Sequence, residues 1–467
     1  MSTLAEKARK TVPAIVLTGL AALLLCTWAI VNGYPLVYPD TGTYISSAFR
    51  HYVPIDRSVV YSMFLRRMSF DSSLWLTVFA QSLLAAITIR CFFQQFLPAA
   101  RQGIIYLATI AVLVFTTAIA VNTGQLIADI FTPLAVLSFI MLLFSRGLTR
   151  SRRVFRFVLL VIFLPMHFSN FPLLGMLFFV AFVYWFFRLR KKNDPAFGLK
   201  EIGLGFTAIC GSAVFLVGVN FSVDENFSFR PQGSHVFTMQ RLIHCGIISD
   251  YLEKKCPDAP PALCESRSYI QAIDFLWDSK NSPVYKNGKN WMDHKEEYDR
   301  IISEVFREPQ YIKRFAYCSM RDTWKQLFHF NISGLDAMGE GSAPHGEIKW
   351  HYKKEEAAYL DARQQKGRLD LSIVSGMQIF VFAGSALIIL LILLVPVFRQ
   401  CLSAVQLGAG WLILAAYLFN AFTCVTFAVT DDRFSARLAW LFPMLLAVWM
   451  SDRNVREKIT GVFRMKK

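Results

Sequence analysis

The sequence predicts an all-α polytopic membrane protein with about ten transmembrane helices. Two observations carry that reading. Apolar runs recur along a chain that is 54% hydrophobic and 15% aromatic, and its mean hydropathy of +0.40 lies well above that of soluble domains. Lys and Arg also alternate between connectors instead of gathering in one patch, so the net charge of +16 reads as topology rather than as affinity for nucleic acid.

Taken in order, Lys7, Arg9 and Lys10 precede an apolar run from Thr11 to Asn32 that lacks a small-residue cleavage site, so it reads as a retained helix with its N-terminus inside. Spans follow near 11–33, 74–93, 104–122, 126–145, 154–168, 171–187, 201–221, 372–397, 403–428 and 435–450. The fifth and sixth come from splitting one apolar stretch at His167-Phe168-Ser169-Asn170-Phe171-Pro172. Charge decides for the split: the inner segments then carry 22 Lys and Arg and the short outer segments 6. A single helix there would place Arg188-Leu189-Arg190-Lys191-Lys192 outside.

The first outer segment, 34–73, shows helical spacing twice, at Tyr44/Ile45, Ala48/Phe49 and Tyr52/Val53 and again at Val59/Val60 and Met63/Phe64, with a break at Pro54. Two amphipathic helices with Arg50, Arg57, Arg66 and Arg67 on their polar sides would lie along the membrane face. The chain divides into a seven-span module (1–221), an outer soluble region (222–371), and three C-terminal spans with a basic inner tail (372–467). The soluble region is long enough for its own core. It reads as mainly helical, with faces at Phe237, Leu242, Ile243, Ile247 and Tyr251, at Tyr298, Ile301, Ile302, Val305 and Phe306, and at Ile312, Phe315, Tyr317, Trp324 and Phe328. It also holds Cys245, Cys256, Cys264 and Cys318 of the nine cysteines, an even set that fits an oxidising compartment. Of the three connectivities, Cys256 with Cys264 and Cys245 with Cys318 is the pairing expected.

No P-loop, strand-to-helix GxGxxG, HExxH or CxxC motif is present, which removes ATP-driven transport by this chain alone, Rossmann nicotinamide chemistry and HExxH metalloprotease chemistry. What remains is a set of polar residues that the topology gathers on the outer side. Asp40 lies in Tyr38-Pro39-Asp40-Thr41-Gly42-Thr43-Tyr44 after span one; Asn122, Gln125 and Asp129 lie between spans three and four; His167, Ser169 and Asn170 between five and six; Asp431, Asp432, Arg433 and Arg437 between nine and ten. Ionisable residues at membrane depth are costly, so a convergent group marks a functional site. The local alternatives are that Asp40 caps a helix beginning near Thr43, Asp129 caps span four, and Asp431 and Asp432 pair with both arginines.

These patches, with Ala128-Asp129-Ile130-Phe131 and Asp432-Arg433-Phe434-Ser435-Ala436-Arg437-Leu438-Ala439-Trp440-Leu441-Phe442-Pro443, resemble the GT-C superfamily of membrane glycosyltransferases, such as protein mannosyltransferases and lipid A aminoarabinose transferases. The resemblance implies an inverting enzyme of a bacterial inner membrane, active on the periplasmic side. It would move a sugar from a polyprenyl-phosphate donor to a lipid, glycan or protein acceptor, with the bilayer and no nucleic acid as its surroundings. Asp40 would be the catalytic base and Asp129 a second catalytic carboxylate that orients the acceptor. Arg433 and Arg437 would clamp the leaving phosphate, with His167, Asn170 and Asp432 binding substrate. Thr41 stands where some relatives carry a second acidic residue, so no metal is assigned, although a divalent cation is not excluded. Two rivals remain: a transporter or lipid flippase, which the clustering of charge at helix ends rather than mid-helix argues against, and an assembly subunit whose soluble region docks a partner.

Overall fold

The computed structural model describes residues 4–97, 102–190, 196–225, 227–256 and 261–464. Of the basic residues counted above, Arg101, Lys191, Lys192, Lys466 and Lys467 lie outside these, as does the loop 257–260 between Cys256 and Cys264. The described residues form helices and no strand. Among the described residues, six helices are long and apolar enough to cross a membrane: Leu74–Phe96, Asn170–Leu189, Leu199–Asp224, Ser372–Leu394, Ala404–Phe427 and Arg433–Ser451. They point to a lipid bilayer as the protein's surroundings.

The other four expected spans are shorter or broken. Helix α1 (Leu4–Leu25) gives way at Cys26 to α2 (Thr27–Asn32), which Gly33 ends in a left-handed conformation, φ +85°. After α3 (Pro39–Arg50), α4 (Val59–Ser69) and α5 (Leu74–Phe96), α6 (Gln102–Thr116) breaks before α7 (Ile119–Gly124). At that break the amide of Ala118 donates to the side-chain oxygen of Gln378, at 2.6 Å. A 3-10 turn at Ala128–Ile130 leads into α8 (Phe131–Leu143), every residue of which is buried. This helix is the hub around which α5, α9 (Arg150–Phe163), α11 (Leu199–Asp224) and α21 (Ala404–Phe427) assemble. Between α9 and α11 runs α10 (Asn170–Arg190).

Helices α3 and α4 lie within residues 34–73, and α3 begins at Pro39, four residues before the expected Thr43. Proline suits the first turn, where its missing N–H is not needed. Arg57 is not on the polar side of either helix; it lies in the connector that precedes α4.

Residues 222–371 fold in two parts. Helices α12 (Ser234–His244), α13 (Ile247–Lys255), α14 (Pro261–Ser266), α15 (Lys295–Val305) and α16 (Pro309–Gln326) enclose a separate apolar core that includes Met239, Leu252, Phe275 and Tyr298. Disulfides join Cys245 to Cys318 and Cys256 to Cys264. Beyond α16 the chain returns to the membrane part: Phe330, Ile348, Tyr352 and Tyr359, in and around α17 (Ala343–His351) and α18 (Glu356–Asp361), join its core. Helix α17 sits against α3 so closely that a Cβ on Gly42 would lie 2.7 Å from the Ala343 backbone. The third predicted face of this region is inverted. The buried side of α16 carries Tyr311, Cys318, Ser319, Asp322, Thr323 and Gln326, whereas Tyr317, Trp324 and Phe328 are exposed.

The chain ends with α19 (Ser372–Leu394), α20 (Pro396–Arg399), α21, α22 (Arg433–Ala439), α23 (Leu441–Ser451) and α24 (Arg453–Arg464).

Candidate functional site

Two short backbone pairings bring the acidic residues together. Leu36 accepts from the amide of Leu126 and donates to the carbonyl of Gly124, each at 2.9 Å, so the segment before α3 runs beside the turn before α8. The Thr41 hydroxyl completes the link: it accepts from the Tyr38 amide and donates to the Leu126 carbonyl, both at 3.0 Å. Asp40 and Asp129 thus stand in the first turns of neighbouring elements, where the positive end of the helix dipole favours a carboxylate. Neither side chain caps its own helix.

Three arginines meet these carboxylates. Arg437 Nη1 lies 2.9 Å from Asp129 Oδ1, and Arg433 Nε lies 3.4 Å from Asp129 Oδ2. Arg433 Nη1 also lies 3.5 Å from Asp40 Oδ2, so this guanidinium bridges the two acids. Asp40 Oδ1 pairs with Arg57, which pairs on its other side with Asp56. The guanidinium groups turn to Asp40 and Asp129 and not to the adjacent Asp431 and Asp432. Spaced four residues apart on α22, Arg433 and Arg437 share a helix face.

Depth separates the arginines. Arg437 is fully buried, and its second terminal nitrogen is held from two sides: Nη2 bonds Asn420 Oδ1 at 2.7 Å and Ser169 Oγ at 3.1 Å. Arg433, Asp40 and Arg57 keep 13, 14 and 17% of their side-chain surface open, so they form the approachable side of the cluster. The Arg433 guanidinium is stacked 4.2 Å above the ring of Tyr38. Burial alone would raise the Asp40 carboxyl, but the charges of Arg57 and Arg433 outweigh it and hold Asp40 below its ordinary value. Asp40 is therefore an anion at neutral pH and, while paired, a weak base.

The remaining expected residues divide. His167 belongs to the cluster: Nδ1 accepts from the Ser169 amide at 3.2 Å, which leaves the ring proton of the neutral imidazole on Nε2, 3.9 Å from Asp129 Oδ1. Asn170 does not belong; its side-chain NH2 group donates to the Phe163 and Leu164 carbonyls at the end of α9. Asp432 does not either, since its carboxylate faces Asn331 at 3.4 Å and His329 at 3.5 Å. Sequence reasoning placed Arg57 on the polar side of an amphipathic helix along the membrane face and assigned no role to Tyr38 or Asn420. The only local signal for Arg57 was its position in the same outer segment as Asp40.

The region 222–371 braces this site. Gln326, at the end of α16, holds the 431–435 turn with both ends of its amide: Nε2 donates to the Asp431 carbonyl at 2.7 Å, and Oε1 accepts from the Asp431 amide at 2.9 Å. Gly334 lies over Tyr38, where a Cβ would come within 2.7 Å of the ring, and its positive φ of +73° also favours glycine. A metal has little to gain at the cluster, because the facing charges on Asp40 and Asp129 are already guanidinium groups. The grouping of His244, Cys318 and Asp322 in the outer region is no better suited, since the Cys318 sulfur is in a disulfide.

No protein-family model, curated protein or solved structure matches the chain.

Proposed function

We propose that this protein is an inverting membrane glycosyltransferase that moves a sugar from an isoprenoid phosphate to an acceptor hydroxyl at the outer surface of the membrane. The observation that carries this reading is the cluster itself: one carboxylate, Asp40, on the approachable side of a site with guanidinium groups on both of its oxygens. An arriving donor phosphate competes with Asp40 for Arg57 and Arg433. Arginine suits that exchange because its planar fork binds phosphate as well as carboxylate oxygens. As the arginines turn to phosphate, Asp40 loses the charges that suppress its basicity and becomes able to take the acceptor's proton. The acceptor oxygen then bonds to the anomeric carbon, the bond from that carbon to the phosphate oxygen breaks, and the electron pair leaves with the phosphate. Arg433 and Arg57 stabilise the negative charge that develops there. Asp129, held by Arg437, fixes Arg433 in place from beneath.

The same reading places both termini inside, ten crossings between them and residues 222–371 outside, in a bacterial inner membrane with the site facing the periplasm. The broken and short helices α1–α2, α6–α7, α8 and α9 make up the four crossings beyond the six long ones. Purified protein in detergent, supplied with a polyprenyl-phosphate sugar and a hydroxyl acceptor, should release free polyprenyl phosphate. A preparation that binds the donor but never cleaves it, and moves it across vesicles instead, would establish the flippase.

A further inference from the structure

Helix α16 shows water something that a soluble domain normally hides. Tyr317, Met320 and Trp324 of α16, and Phe328 two residues past its end at Gln326, are 70, 69, 66 and 60% exposed. Steps of three, four and four residues set them in one stripe. The stripe is not a consequence of a loosely held helix. The opposite side is fixed by the Cys245–Cys318 disulfide, by Asp322 bonded to the buried Arg241 at 2.8 Å, and by Gln326 on the 431–435 turn.

We propose that α16 lies in the outer leaflet of the bilayer, with Tyr317, Met320, Trp324 and Phe328 immersed among lipid chains. Continuity with the apolar helices is the first argument. The C-terminal end of α16 runs along α21, and the hydroxyl of Tyr417 donates to the Leu327 carbonyl at 2.9 Å. Tyr417 lies ten residues before the end of α21 at Phe427, about 15 Å along the axis of a helix apolar enough to span. The next turn goes deeper among such helices: the Gln378 side chain donates to the Phe330 carbonyl, and the Phe330 ring packs 4.6 Å from Phe382 of α19. Leu418 and Phe427 of α21 are themselves exposed, so the apolar surface does not stop where α16 begins.

Charge is the second argument. Lys313, Arg314, Arg321 and Lys325 are exposed on the same helix, and Arg314, Arg321 and Lys325 follow one another at steps of seven and four along one edge of the stripe, although Arg314 already pairs with Asp250 and Arg321 with Asp322. An apolar stripe with aromatic residues and a basic margin is the signature of a helix lying in a membrane interface, where anionic headgroups meet the cations and Trp and Tyr sit at headgroup level. Such a contact would fix the height of the outer region above the bilayer, and through Gln326 the position of the turn that carries Arg433.

The test uses the full-length protein in nanodiscs containing anionic lipid, with bromine on the acyl chains. The emission that disappears on Trp324→Phe is the contribution of Trp324. That contribution should be strongly quenched by brominated lipid relative to unbrominated lipid, and shielded from iodide in the water. Trp324→Phe keeps an aromatic ring, and an unchanged melting temperature shows that the comparison is between folded proteins. If brominated lipid leaves the Trp324 contribution unchanged, the proposal is overturned. Iodide quenching would then show a helix standing in water, and protection from both quenchers would show that a second copy or another protein covers the stripe.

Discussion

Arg437 and Asp129 are 308 positions apart in sequence and 2.9 Å apart in space, and neither reaches solvent. Their pairing joins the helix that opens the last apolar segment to the turn that opens the hub helix α8. Arg433, one turn earlier on the same helix, is thereby aimed at Asp40. The deep pair is thus a support for the shallower groups Arg433, Asp40 and Arg57.

That division predicts different outcomes for the two arginines. Breaking a buried pair by removing one partner leaves an uncompensated charge, typically at a cost of roughly 3–5 kcal/mol. Arg437→Leu should therefore lower the melting temperature sharply, and Arg437→Lys should lower it less, because the charge remains while the bonds to Asn420 and Ser169 are lost. Arg433→Lys should melt close to wild type yet bind the polyprenyl-phosphate donor more weakly. Thermal unfolding in detergent together with donor titration measures both quantities. Equal melting losses in the two lysine variants would remove the distinction.

Asp40→Asn should abolish turnover without loss of fold, since the amide keeps the size of the carboxylate and can no longer accept a proton. Loss of a general base typically costs on the order of 10²- to 10⁴-fold in rate. Release of polyprenyl phosphate is the measurement, with gel filtration as the control for folding. Turnover close to wild type would leave Asp40 an ion-pair partner and nothing more.

Introduced cysteines check the proposed sidedness. A membrane-impermeant thiol reagent added from outside should label Lys286→Cys, which lies in the outer region, and should miss Lys200→Cys, which lies just before the last of the first seven expected spans. The reverse pattern would put the cluster on the inner side and sink the reading of an outer-surface transferase.

The two disulfides should differ in weight. The loop-entropy argument gives about 4 kcal/mol for a closure as long as Cys245–Cys318, separated by 73 residues, and about 2.5 kcal/mol for one as short as Cys256–Cys264, separated by 8. Cys245→Ala with Cys318→Ala should expose the outer region to protease at a lower temperature than Cys256→Ala with Cys264→Ala does. Limited proteolysis against temperature reads this directly.

Apolar runs and charge alternation marked where the long helices lie, and the acidic and basic residues at their ends marked where a site would gather. What they could not show follows from what such signals measure. Periodicity reports that α16 has an apolar stripe, but lipid and protein interior are alike to it, so Tyr317, Trp324 and Phe328 read as core. Charge counting treats Arg57 as a topology marker, although one turn of chain brings it back to Asp40. Asn170 and Asp432 have side chains suited to binding a substrate, yet each meets a local partner, the end of α9 for one and the His329–Asn331 segment for the other. The break at Thr117 is tertiary in origin: a side chain from α19 takes the amide that a continuous helix would have bonded.

The last prediction concerns Arg57 and the pH dependence of the reaction. Burial acts to raise the Asp40 carboxyl, and the charges of Arg57 and Arg433 more than reverse this, so the folded value lies below the ordinary 3.8. A carboxyl lowered on folding contributes stability that is fully present above its unfolded value and is lost as pH falls through the folded one. In the wild-type protein both this stabilisation and the ionisation of Asp40 should therefore persist through pH 5, with the Asp40-dependent acid limb of kcat/KM below 3.8. Arg57→Gln removes one of the two cations, leaving burial opposed by Arg433 alone. The acid limb should move to higher pH, and donor affinity should fall because a phosphate ligand is lost. The shift in pH profile separates this role from simple damage, since a misfolded fraction lowers the whole curve without moving its limb. An Arg57→Gln enzyme with an unmoved acid limb and wild-type donor affinity would show that Arg57 neither restrains Asp40 nor receives the phosphate.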